Sequence, residues 1–201
     1  MDTNLDDLKH IRSMMERSSK FLSISGMSGV LAGTFAIVGA VVAYLVLEGR
    51  YTFTDSLLYD FILIAFAVLV SALTAGLVLS YKKAIRSNAK LWQPVTLQIA
   101  KDFCVPMAVG GLFCIILIYK HVAYLVAPSM LIFYGLGLIA AGSRTYRDVK
   151  ILGACEIVLG LVAAVVVGYD LIFWGIGFGV LHIIYGILIY YKYDMKSVKN
   201  G

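Results

Sequence analysis

Charge is scarce in this chain. Asp, Glu, Lys and Arg make up 14% of its 201 residues, where a soluble domain carries about 25%. Apolar residues make up 61%, more than the core of one small domain can hide, because a domain of that size still exposes much of its surface. The medium around most of the chain must be lipid. Cysteine is rare as well: Cys104, Cys114 and Cys155 lie in or beside apolar runs and form no CxxC pair, which excludes a disulfide framework and a zinc site. Of the three histidines, only His182 lies within an apolar run, so a haem held between helices by two axial ligands is not expected. There is no phosphate-binding glycine loop, no dinucleotide fingerprint and no cluster of metal ligands, and no cofactor is expected. The net charge is +5, but the basic residues sit at the ends of apolar runs. That places them against anionic lipid headgroups, not nucleic acid.

A membrane-crossing helix needs about 20 mostly apolar residues. Six such runs are present, at residues 21–47, 57–80, 103–119, 122–143, 151–168 and 171–191. They are continuous and lack strand-like alternation, which selects helices over a barrel. The first run follows 20 polar residues and is too long for the apolar stretch of a signal peptide, so it reads as a span that stays in place. Fifteen of the seventeen basic residues fall on one side of these runs. They lie before the first, between the second and third, between the fourth and fifth, and after the sixth. Only Arg50 and Lys120 fall on the other side. The predicted fold is therefore an all-α bundle of six spans in three hairpins with both termini inside. Residues 1–20 form a cytoplasmic segment, 21–191 the membrane domain and 192–201 a basic tail.

Residues 4–20 read as a short amphipathic helix, capped by Thr3 with Asp6 three residues on and striped by Leu5, Leu8, Ile11 and Met15. It would lie on the inner leaflet or dock a partner. Tyr51, Tyr59, Tyr169 and Trp174 mark an outer aromatic belt, and Tyr81, Trp92, Tyr190 and Tyr191 an inner one. Tyr59-Asp60 and Tyr169-Asp170 recur at the starts of two even-numbered spans, a faint repeat. Pro128, about one and a half turns into the fourth span, is expected to kink it. Pro106 is expected to mark the start of the third.

Lipid supplies no hydrophobic drive for helix association, so small residues at close contacts must. The first span carries Ser25, Gly29, Gly33, Ala36, Ala40 and Ala43 along one face. On the fifth, Gly153, Glu156, Gly160 and Ala164 share a face; on the sixth, Gly175, Gly179, His182 and Gly186 do. Folding this hairpin near residues 169–170 sets Gly153 opposite Gly186, Gly160 opposite Gly179, Ala164 opposite Gly175 and Glu156 opposite His182. Glu156 and His182 are thus expected to be neighbours about 8–10 Å in from the cytoplasmic end. An unpaired carboxylate there costs about 2.5–3.5 kcal/mol on insertion scales. Polar contacts in membranes average only about 0.6 kcal/mol, so the pair avoids a penalty more than it adds stability. It is either a proton-responsive pair, since histidine titrates near neutral pH, or a polar clamp that sets the hairpin's register.

Gly26-Met27-Ser28-Gly29 fits the GxSG pattern of a serine nucleophile, and His182 would be its base. Rhomboid proteases share six core spans, but their serine lies on the fourth, and their HxxxN pattern is missing here. The same glycines already have a packing use. Asp60, near the start of the second span, is the candidate for a solute or ion pathway; otherwise Asp60, Asp102 and Asp170 are interfacial anchors. The last hairpin, through Ile151-Leu152-Gly153, Glu156-Ile157-Val158-Leu159-Gly160, Trp174-Gly175 and Gly179 to Gly186, resembles the HdeD-like group of small six-span bacterial membrane proteins. That resemblance covers about a quarter of the chain. It implies three glycine-punctuated hairpins and an association with acid resistance.

The function expected is that of a non-enzymatic, multi-pass protein of a bacterial inner membrane, tied to envelope or pH stress. The alternatives are a small-solute or ion transporter or channel, with a hydrated cavity reaching Glu156 or Asp60, and an intramembrane enzyme joining Ser28 to His182. The lipid bilayer is the expected partner, and small-residue faces left on the bundle exterior would make a homo-oligomer. A cysteine placed between Lys82 and Lys90 is expected to react with impermeant maleimide only after the cytoplasmic side is opened. Labelling in intact cells would overturn the threading.

Overall fold

The computed structural model describes residues 25–86 and 94–195. The predicted helix at 4–20, the residues Lys90 and Trp92 and the tail beyond Met195 lie outside them. Among the described residues the fold is all-helical, with no strand. Helix α1 is Gly26–Leu47, α2 Leu57–Arg86, α3 Pro94–Tyr119, α4 Val126–Gly142 and α5 Arg147–Val165. The last helix, α6, is α-helical over Asp170–Trp174 and His182–Ile189, with wider π turns over Gly175–Leu181 and Tyr190–Asp194. Five stretches are long and apolar enough to cross a membrane: Gly26–Leu47, Leu57–Ile85, Pro94–Tyr119, Ala123–Gly142 and Asp170–Tyr193. Helix α5 is not among them; it opens with Arg147, Asp148 and Lys150 and carries Glu156 farther in.

Two helix ends close in the same way. At the end of α1 the N–H of Gly49 bonds Val46 O and that of Arg50 bonds Leu45 O, both at 3.0 Å, with Gly49 at φ 69°. At the end of α3 the N–H groups of His121 and Val122 bond Ile118 O and Leu117 O at 3.0 Å, with His121 at φ 59°. This is the Schellman closure, in which a left-handed residue lets two orphan carbonyls find donors. Glycine reaches that conformation freely, while histidine does so at some cost.

The bundle is built on two central helices. Helix α1 packs against α2 and α6, and α4 packs against α3 and α5. The early part of α6 leans on α4 and α5 and joins the two halves. Helices α2 and α3 lie on the outside with their apolar side chains turned outward: Phe66 is 65% exposed, Leu77 72%, Leu112 65% and Ile115 64%. Such faces are unfavourable in water and require none of the hydrophobic effect in lipid. A compact cluster of Ala43, Val46 and Ile64, with Phe61, Val68 and Leu171 against it, ties α1, α2 and α6 together.

Glycines set the approach of the central helices. A Cβ on Gly186 would come 2.5 Å from Val30 N and 2.6 Å from Gly26 O. One on Gly33 would come 2.5 Å from Gly179 O, so α1 and α6 meet backbone to backbone. Helices α4 and α5 meet in the same way, where a Cβ on Gly135 would come 2.5 Å from Gly153 O and one on Gly160 2.9 Å from Pro128 O. The expected matching of glycine faces within the last hairpin is therefore corrected. Gly153 and Gly160 face α4, while Gly179 and Gly186 face α1, and Gly175 lies nearest Ala40. Residue sums around a turn fix depth, not the direction in which a face points. Each small face goes to the neighbour whose backbone it can reach.

The two prolines also exchange roles. Helix α3 begins at Pro94, so Pro106 lies inside it, where proline withdraws the bond to the carbonyl four residues back. Helix α4 begins at Val126 after a 3₁₀ turn at Ala123–Leu125. Pro128 therefore falls in the first turn, where its missing N–H costs no helical bond.

Substituting Gly186→Ala is expected to lower stability by about 1–3 kcal/mol, the cost of overpacking against backbone that cannot yield. A Cβ on Gly76 meets nothing within 4 Å, so Gly76→Ala should be neutral or stabilise by up to about 1 kcal/mol. Unfolding in mixed micelles measures both. Equal effects would contradict this packing.

Candidate polar site between the last three helices

Glu156 is fully buried and His182 is 7% exposed. Glu156 comes from the middle of α5, and His182 stands where the π turn Gly175–Leu181 returns to α-helix. Glu156 Oε1 lies 3.5 Å from His182 Nδ1, within ion-pair range but long for a hydrogen bond. Neither carboxylate oxygen has a hydrogen-bond partner among the described residues. A buried carboxyl in that condition forgoes its hydration without replacement, which is costly in either protonation state.

The imidazole is engaged at both nitrogens. Nδ1 lies 3.0 Å from Gly177 O, and Nε2 lies 2.7 Å from the hydroxyl of Tyr134 on α4. A carbonyl oxygen only accepts, so Nδ1 carries the proton in that contact. In the neutral ring Nε2 then accepts from the tyrosine hydroxyl. The ring is thereby fixed by its partners on α4 and α6, with the Glu156 carboxylate facing the same Nδ1–H from α5.

Two local features make room for this. A Cβ on Gly177 would collide with Leu131 and come 2.6 Å from Glu156 Oε2, so only glycine allows the carboxylate against the backbone here. The π turn also widens the helix at that level, a departure that occurs often at functional sites. Tyr134 is held among rings: Phe103 at 5.7 Å edge-on, Phe178 at 5.0 Å and His182 at 5.3 Å. Phe178 in turn packs on Trp174 at 5.3 Å.

The other sequence candidates go to different places. Ser28 is buried, and its hydroxyl donates to Ser25 O at 2.6 Å. The ring of His182 is occupied by Tyr134 and Gly177 instead. Gly26 and Gly29 of the GxSG stretch pack on the backbone near Gly186. Asp60 is 1% exposed; its carboxylate accepts from Thr54 N at 2.7 Å, Thr54 Oγ1 at 2.6 Å and Phe53 N at 3.4 Å. That charge organises the loop before α2. Cys104, Cys114 and Cys155 are free thiols.

Sequence reasoning missed Tyr134 and Gly177. A tyrosine near the middle of an apolar run, far from either aromatic belt, was the available signal for the first. It also missed the clamps at the helix ends. Lys192 Nζ lies 2.9 Å from both Asp148 oxygens, with Tyr193 Oη at 2.8 Å, joining α6 to the start of α5. Burial pushes the Asp148 carboxyl up, but the Lys192 and Tyr193 contacts outweigh it and hold the group below its ordinary range. Arg144 Nε donates to Asp102 Oδ2 at 2.8 Å.

In nitrogen-15 spectra of histidine-labelled protein, the neutral His182 ring is expected to carry its proton on Nδ1. Substituting Tyr134→Phe should move the Nε2 resonance and leave Nδ1 nearly in place. A proton found on Nε2 would refute the assignment. No known protein family, curated protein or solved structure matches this chain.

Proposed function

We propose that this chain is a six-span, N-in/C-in protein of a bacterial cytoplasmic membrane whose Glu156–His182–Tyr134 cluster responds to pH without catalysing a reaction. The observation that carries this reading is the Glu156 carboxyl, fully buried and unbonded, 3.5 Å from a His182 Nδ1 whose proton already goes to Gly177 O. Ionisable groups inside a membrane bundle are rare, and by default they mark function.

Two arrangements of the same side chains follow from this geometry. With a neutral ring, Nδ1–H serves Gly177 O and the carboxyl is left aside. When the cluster takes up a proton as imidazolium, the charge on Nδ1–H favours the carboxylate, and Nε2–H must donate to the Tyr134 oxygen. Exchanging Gly177 for Glu156 as the partner loosens the π turn on which Gly177 sits. The titratable groups at the site are Tyr134 from α4, Glu156 from α5 and His182 from α6, with Tyr185 of α6 close enough to act on Tyr134. The association of the HdeD-like resemblance with acid resistance agrees with this reading.

The transporter alternative calls for a hydrated cavity that reaches Glu156 or Asp60. The cavity of about 550 Å³ among Gly39, Phe61, Met130 and Trp174 is lined by neither Glu156 nor Asp60. In this reading α5 serves as the fifth span, its apolar part beginning after Lys150.

Amide exchange over residues 175–189, corrected for intrinsic rates, tests the reading in reconstituted protein. It is expected to change about tenfold between pH ~5 and ~8, the size of one pK unit of coupling. Glu156→Gln and His182→Gln should each abolish the change. A pH response that survives both substitutions, or none in the unsubstituted protein, would sink it.

A further inference from the structure

Beyond the pH reading, and independent of it, the opposite end of the bundle carries an open cleft of about 550 Å³, within the range of ligand sites. Its walls come from the end of α1, the start of α2, the end of α3, the start of α4 and the start of α6. Gly39 and Phe61 stand on one side, Ile118 and Met130 on the other, and Leu171 and Trp174 behind. Helices α2 and α3 make at most marginal contact with each other, so the cleft lies where lipid can enter between them. Gly39 and Leu47 both line it, which gives a depth of about 12 Å at the helical rise. That suits an extended hydrocarbon chain.

Among the residues lining this apolar cleft, Asp170 alone is charged. Its Oδ1 is buried with no hydrogen-bond partner among the described residues. The other member of the Tyr-Asp repeat makes the contrast. Asp60 spends its carboxylate on Thr54 and Phe53 of its own loop, whereas Asp170 is left facing the cleft. A carboxylate at the mouth of an apolar slot is complementary to an amphiphile with a cationic, hydrogen-donating head.

We propose that this cleft binds one membrane phospholipid with a primary-ammonium headgroup, its acyl chain between α2 and α3 and its ammonium on Asp170. A phosphatidylethanolamine-type head supplies three N–H donors. A choline head supplies charge without donors, and a glycerol head supplies hydroxyl donors without positive charge. Trp174 lies at the inner end of the cleft and reports its occupancy. It also touches Phe178, which packs on Tyr134 and His182, so a bound chain ends against the ring stack of the polar site.

The chain has two tryptophans, so Trp92→Phe leaves Trp174 as the only one. In full-length protein reconstituted into nanodiscs, Trp174 fluorescence is read against lipids brominated on one acyl chain. Quenching by brominated phosphatidylethanolamine should saturate at about threefold lower mole fraction than by the matched phosphatidylglycerol or phosphatidylcholine, the size expected of a partly exposed ion pair. Asp170→Asn should erase that preference while retaining quenching. Ala127→Phe, which fills the cleft wall, should weaken quenching by every lipid. Equal quenching by the three headgroups, a preference for the anionic lipid, a preference that survives Asp170→Asn, or quenching indifferent to Ala127→Phe would overturn the proposal.

Discussion

Backbone-to-backbone contact at glycine is the constraint on which the bundle depends. In lipid an apolar side chain gains little by leaving its surroundings for another helix, so association comes from close packing. Gly26, Gly29 and Gly33 with Gly179 and Gly186 bring α1 against α6, and Gly135 with Gly153 brings α4 against α5. These contacts leave no space for a methyl group. Glycines also set how the two central helices hold the outer ones, with Gly39 of α1 against Val68 of α2 and Gly137 of α4 against Phe103 of α3.

The polar site follows from that arrangement. Because α5 spends its glycine face on α4 and α6 spends its on α1, the two meet at a looser contact across which Glu156 and His182 face each other. The looseness is what admits side chains at all. Gly177 and the π turn around it provide the remaining space, and Tyr134 reaches in from α4 to hold the far side of the ring. The imidazole is fully bonded and the carboxyl is not. A clamp in which both partners were satisfied would bond the carboxyl as fully as the ring.

The same packing leaves the cleft at the other end. With α2 and α3 each anchored to a different central helix, nothing draws them together, and the space between their outer ends stays open. Trp174 stands between the cleft and the ring stack on Tyr134, so the two features share one stretch of α6.

The all-helical, apolar character of the fold was legible because it rests on composition. Apolar runs of spanning length, the placement of Lys and Arg, and the small residues on three helices are properties of the chain alone. That Glu156 and His182 stand at the same level follows from counting residues at a constant rise. What the chain alone left open was direction. It did not say that Gly153 would turn to α4 and Gly186 to α1, that Pro106 would fall inside a helix and Pro128 in a first turn, or that Asp60 would be consumed by Thr54 while Asp170 was not. Spacing along a helix determines which residues share a face, but the choice of neighbour is made by all six helices competing for the closest approach, and only the assembled bundle records the outcome.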